Sequence, residues 1–119
     1  MYTINYKTYP EYLSATISGE ESFEAASQFW QDLAVKVKAE NISKILVLDQ
    51  VSGRLNTVQL LEIGELITQL FRSIWIAFVD PKEETYADNQ FGETVIQNRA
   101  GRVVLFRTVP DAQEWLKSL

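Results

Sequence analysis

The chain of 119 residues contains no cysteine and no histidine. Without cysteine there are no disulfides, thiolate metal sites or cysteine nucleophile, a composition that fits a reducing cytoplasm. Without histidine there is no imidazole base near neutral pH, no Ser-His-Asp triad and no imidazole metal ligand. Long apolar runs are missing too: none approaches the roughly 20 residues of a membrane span. The start, Met1-Tyr2-Thr3-Ile4-Asn5, carries neither a basic leader nor an apolar segment, so the expectation is a soluble cytoplasmic protein. Positive charge is scarce, 11 basic against 16 acidic residues for a net charge of -5. The basic residues are scattered, which argues against nucleic acid as a partner. No glycine-rich phosphate loop, nucleophile elbow or calcium loop occurs. The expectation is therefore a chain that is not an enzyme and holds neither cofactor nor metal.

What is present is enough for one domain spanning residues 1–119 with a single core. Two unbroken apolar runs, Ile45-Leu46-Val47-Leu48-Asp49 and Ile74-Trp75-Ile76-Ala77-Phe78-Val79-Asp80, each end in aspartate before a helix-start signal. Such runs suit strands buried on both faces of a parallel sheet covered by crossover helices. Thr3 to Lys7 and Tyr12 to Ser18 alternate as a hairpin around Thr8-Tyr9-Pro10-Glu11. Ser22 caps a first helix whose apolar face is Ala26, Phe29, Trp30, Leu33, Ala34 and Val37. After the strand Lys44 to Asp49, the stretch Gln50 to Leu55 reads as a polar loop, and Asn56 with Gln59 forms a capping box. The second helix is apolar over most of its circumference, from Leu60 to Phe71, which predicts cover on more than one side or by a second subunit. Gly64 within it predicts close packing of a neighbour.

Asp80-Pro81-Lys82-Glu83 reads as a third helix start, with Asp80 as cap, Pro81 in the first helical position and Glu83 closing the box. The body Tyr86 to Asn98 is polar and weakly periodic, and Gly92 predicts a bend or break. Ala100-Gly101 ends it, Arg102 to Arg107 is a last strand, and Thr108 with Asp111 opens a terminal helix. The predicted class is α/β in the order β-β-α-β-α-β-α-β-α, a mixed five-stranded sheet with covering helices. Right-handed crossovers make the second, third and fourth strands mutually parallel.

Open α/β sheets bind ligands beyond the carboxyl ends of their parallel strands. That edge gathers Asp49, Ser52, Arg54, Asn56, Thr57, Asp80, Lys82, Arg107 and Thr108 from three loops. Mixed charge there suits an anion or a mutual tie between loops, and aspartates at strand ends ordinarily serve as helix caps. An acid–base pair of Asp49 and Asp80 lacks an electrophilic partner.

The element order, with the tail Val103-Val104-Leu105-Phe106-Arg107 and Ala112-Gln113-Glu114-Trp115-Leu116, resembles the STAS-like superfamily. In it the chain is most similar to small stand-alone bacterial SpoIIAA-like proteins. The superfamily shares a βα core with lipid-binding CRAL-TRIO domains. The resemblance implies a fold and a tendency to pair with proteins or a second copy, and brings no enzyme activity. In the anti-sigma-factor antagonists of this group, the loop before the second helix carries an Asp-Ser pair whose serine is phosphorylated. Here the nearest match is Asn56-Thr57, with Ser52 and Arg54 in the same loop, so the resemblance implies an anion or phosphoregulatory loop at these four residues. The expected function is a non-catalytic, self-associating interaction or regulatory module. The alternative is a binder of a small apolar or anionic molecule, for which Asp49, Asp80, Lys82, Arg107 and Thr108 would form the edge.

Overall fold

Alternation of half-buried Tyr2, Ile4 and Tyr6 with exposed neighbours makes Tyr2–Thr8 an edge strand, β1, in the computed structural model, which describes residues 1–119. It pairs antiparallel with β2 (Leu13–Glu20) through the tight turn where the Tyr9 N–H donates to Tyr12 O at 2.9 Å. Then follow α1 (Phe23–Ala39), β3 (Lys44–Ser52), α2 (Thr57–Leu70), β4 (Trp75–Val79), α3 (Glu83–Asn98), β5 (Val103–Phe106) and α4 (Val109–Ser118). The sheet order is β1-β2-β3-β4-β5, with every pair after the first parallel. The predicted order and mixed sheet are those observed.

Strand alternation sorts the core into two layers. Leu13, Ala15, Ile17, Ile45, Val47, Val51, Ile76 and Val103 meet Phe29, Trp30, Leu33, Ile63, Ile67 and Ile96 of α1, α2 and α3. On the opposite face, Leu46, Ala77 and Val79 meet Ala112 and Leu116 of α4. Burying each large aliphatic or aromatic side chain contributes roughly 1.5–3 kcal/mol. The start signals of α1, α2 and α4 work as predicted. Ser22 Oγ accepts from Ala25 N at 3.0 Å, and Thr108 Oγ1 accepts from Asp111 N at 3.3 Å. Asn56 and Gln59 each accept from the other's backbone N–H, at 2.8 and 3.0 Å. The breadth of α2 has a fold-level reason: it lies on the sheet between α1 and α3, with Ile63, Gly64 and Ile67 buried. Close approach at Gly64 is real, since a Cβ there would lie 3.0 Å from Val95 Cγ1.

Three expectations fail. β3 does not stop at Asp49 but continues to Ser52, because Ile17, Gly19 and Glu20 of β2 pair with Asp49, Val51 and Ser52. Gln50-Val51-Ser52 is thus strand, and the alternation of buried Asp49 and Val51 with exposed Gln50 and Ser52 was its signal. Asp80 is not the cap of α3, nor is Pro81 its first residue. The cap position is Lys82, without a side-chain capping bond, and Glu83 pairs with Arg107 instead of closing a box. Gly92 does not break α3, which runs unbroken to Asn98.

Gly92 instead marks empty space: a Cβ at this position meets no atom within 4 Å. Gly92→Ala is expected to stabilise the chain by about 1 kcal/mol, the helix-propensity difference. The melting temperature would rise by roughly 4 °C in a scanning calorimeter.

Candidate functional site

The extension of β3 carries Asp49 past the end of β4, beside Asp80, which directly follows that strand. Both are buried, at 7% and 0% exposure. Lys82, two residues on, closes the arrangement. Its ammonium donates to Asp80 Oδ1 at 2.9 Å and to the Asp49 carbonyl at 3.0 Å, and lies 3.2 Å from Asp49 Oδ1. The Lys82 backbone N–H also donates to Asp80 Oδ1, while Thr85 Oγ1 and Asn89 Nδ2 donate to Oδ2 at 2.7 and 2.6 Å. Thr85 and Asn89 stand four apart, one helical turn, so α3 turns a polar face inward. That inward polar face is why its sequence showed weak apolar periodicity.

Electrostatics follow from this bonding. Burial alone would raise the Asp80 pKa, but the hydrogen bonds from Thr85, Lys82 and Asn89 outweigh it and hold the carboxyl below its ordinary range. Asp49 goes the other way. Burial pushes its pKa up, against the opposing Val51 N–H at 2.9 Å and the Lys82 charge. For Lys82, burial works against the charge, yet bonds and charges from Asp80 and Asp49 raise its pKa. Asp80 has its acceptor positions filled and no access to solvent. The trio therefore ties the ends of β3 and β4 to α3.

Deeper between the sheet and α1, α2 and α3 lies a cavity of about 80 Å³ with mostly apolar walls, reached by Asp49, Glu21, Glu93 and Asn89. Glu21 accepts from the Tyr2 hydroxyl and from Ser22 N. Burial raises the Glu21 pKa, with the Asp49 charge adding to it. Burial first, then Glu21, pushes the Tyr2 hydroxyl far above its ordinary range.

Of the residues singled out from the sequence, the fold unites Asp49, Asp80 and Lys82. The others lie apart from it, all but Thr57 with separate structural duties. Ser52 Oγ donates to Gly19 O at 3.2 Å, and Arg54 forms a two-bond pair with Asp88, each bond 2.9 Å. Asn56 is occupied in the capping box, and Thr57 is the exposed first residue of α2. Arg107 pairs with Glu83 at 3.0 Å and lies 3.7 Å from the Tyr86 ring centre, while Thr108 caps α4. Neither Asp49 nor Asp80 caps a helix, because burial and Lys82 claim both. Sequence reasoning missed Tyr2, Glu21, Thr85 and Asn89. For Thr85 and Asn89, the helical spacing behind Asp80 was an available signal. For Tyr2 and Glu21, pairing across β1, β2 and α1 left none.

No family model and no curated protein sequence matches this chain. Solved structures do. The protein TM1081, determined by NMR, is similar with a TM-score of 0.61 at 16% identity, over 96% of this chain and 88% of that one. An uncharacterized DUF3478 family protein with a SpoIIAA-like fold from Shewanella loihica PV-4 gives 0.59 at 16% identity, over 97% and 93%. The anti-sigma factor antagonist SpoIIAA in its unphosphorylated form gives 0.55 at 11% identity, over all of both chains. The chain has the SpoIIAA-like fold over its full described length. No helix is long and apolar enough to cross a membrane.

Proposed function

We propose that the chain is a non-catalytic regulatory module of the bacterial cytoplasm, which pairs with a second copy of itself through the outer face of α2 and α3. The observation that supports it most is the match in fold, end to end, to an anti-sigma factor antagonist. Fold alone does not assign function, so the surface must contribute. Val58 on α2 is 63% exposed and Phe91 on α3 is 39% exposed, on helices that pack against each other. Covering these side chains removes apolar surface from water. In a two-fold pair the same residues serve both sides. Ser52, Arg54 and Asn56 keep the structural duties described above and Thr57 is exposed at the start of α2, so pairing requires no phosphate there.

Leu66 is a poor position for a test, because it packs against the main core. A charge there would unfold the chain whether or not it pairs. Val58→Glu is cleaner: at an exposed helical site it leaves the circular dichroism unchanged. Sedimentation velocity is expected to show wild type as two chains and Val58→Glu as one, a shift of at least about tenfold in dissociation constant. A variant that still pairs when Phe91→Glu is added would place the interface elsewhere.

A further inference from the structure

We infer that the cavity beneath α1, α2 and α3 binds a primary alkylammonium group on a short aliphatic stem. The inference is independent of the pairing surface, which lies on the opposite side of the same helices. Size comes first. At about 80 Å³ the cavity exceeds the ~10–15 Å³ that one water needs, and falls well short of the roughly 300–1,000 Å³ of drug-sized sites. An occupant has only a handful of heavy atoms.

Chemistry comes next. Trp30, Phe78 and Tyr2 contribute aromatic surface to the lining, and Glu21, Asp49 and Glu93 contribute carboxylates. No lysine or arginine lines it. Asp49 is more than nine-tenths buried, yet its two oxygens are unequally bonded. Oδ1 has the Val51 N–H and Lys82, whereas Oδ2 has only Asn89 Nδ2 at 3.5 Å. That distance exceeds an ordinary hydrogen bond and leaves lone-pair capacity on a buried anion. Burial also raises the pKa of both Asp49 and Glu21, as negative charge does when incompletely compensated. An ammonium offers three donors and is attracted to aromatic faces, while its aliphatic stem suits the apolar walls. The carboxylates disfavour an anion, and a neutral molecule would bring no positive charge to Asp49 Oδ2, the oxygen that Lys82 does not reach.

The cavity also has a natural plug. Gly92 lines it on the same face of α3 as Asn89 and Ile96, and a Cβ there meets open space. Gly92→Leu would direct its side chain into that space, since its Cβ meets no atom.

The test titrates the full chain with pentylammonium chloride at neutral pH and follows the Trp30 indole resonance by NMR. Pentan-1-ol, pentanoate and Nα-acetyl-lysine amide serve as comparison probes. The expected result is saturable one-to-one binding of pentylammonium, at least about tenfold tighter than the alcohol or the carboxylate. Gly92→Leu should weaken it at least about tenfold, and Asp49→Asn should erase the preference over the alcohol. Tighter binding of the blocked lysine would assign the group to a protein side chain, and tighter binding of pentylammonium to a free amine. A cavity that holds only water gives no saturable shift, which overturns the inference. Equal binding of all three five-carbon probes, or an unaffected Gly92→Leu, overturns it as well. Should Asp49→Asn not fold, Gly92→Leu decides the question by itself.

Discussion

Asp80→Ala is expected to destabilise the chain by about 3–5 kcal/mol, the range for removing one partner of a buried ion pair. The loss exceeds that of the side chain's own contacts. Lys82, Thr85 and Asn89 all donate to this carboxylate, and each would lose that acceptor, with only Asp49 left to the ammonium of Lys82. Asp80→Asn would cost less but still substantially, because one amide N–H would face a donor. Urea denaturation followed by circular dichroism measures both. The pH dependence carries a definite sign. The pKa of Asp80 is lowered on folding, so its contribution is present above the ordinary aspartate value of 3.8 and is lost as pH falls through the folded value. Asp49 and Glu21, raised from 3.8 and 4.5, have the opposite effect. They make the fold more stable as pH falls toward those ordinary values. Wild type should therefore be most stable in mildly acidic solution, and Asp80→Ala should lose the steep acid limb. An acid limb retained in the variant would show that other carboxylates produce it.

Trp30→Ala should be comparably damaging, at about 3–5 kcal/mol. Trp30 is 4% exposed and lies at the centre of an aromatic group, with ring centres 4.9 Å from Phe29, 5.7 Å from Phe71 and 6.1 Å from Phe78. Truncation removes edge-on and stacked contacts to α2 and the sheet together, and opens a void next to the existing cavity. The surroundings cannot collapse onto it, because strands on one side and α1 and α2 on the other fix their spacing. Calorimetry should show a melting temperature lower by roughly 10–20 °C. A loss of only a few degrees would mean that the helical layer relaxes around the gap.

Where local rules governed, the sequence was readable. The hairpin, the three buried parallel strands, the Asn56-Gln59 box and the Ser22 cap all follow from alternation, apolar runs and capping chemistry. Each depends on residues within a few positions. The polar core was harder. Asp49 and Asp80 looked like helix caps because a strand-end aspartate before a helix usually is one. In the folded chain the extra length of β3 buries Asp49, and Lys82 reaches back between the two carboxylates. Nothing local in sequence announces that an ammonium will be placed there. Gly92 was similarly deceptive. A glycine amid polar residues signals a break when α3 is viewed alone, whereas the helix, packed against α2 and β5, runs through it unbroken and the missing side chain leaves space. The cavity is the extreme case, since it is formed by β1, β2, β3, β4, β5 and all three helices of one layer, and no single segment encodes it.

Native mass spectrometry of the wild-type chain, sprayed from micromolar solution without denaturant, tests the proposed pairing most directly, because it counts subunits. The account predicts a dominant species of two chains that Val58→Glu converts to one. A single chain at every concentration, with the variant indistinguishable from wild type, would contradict it.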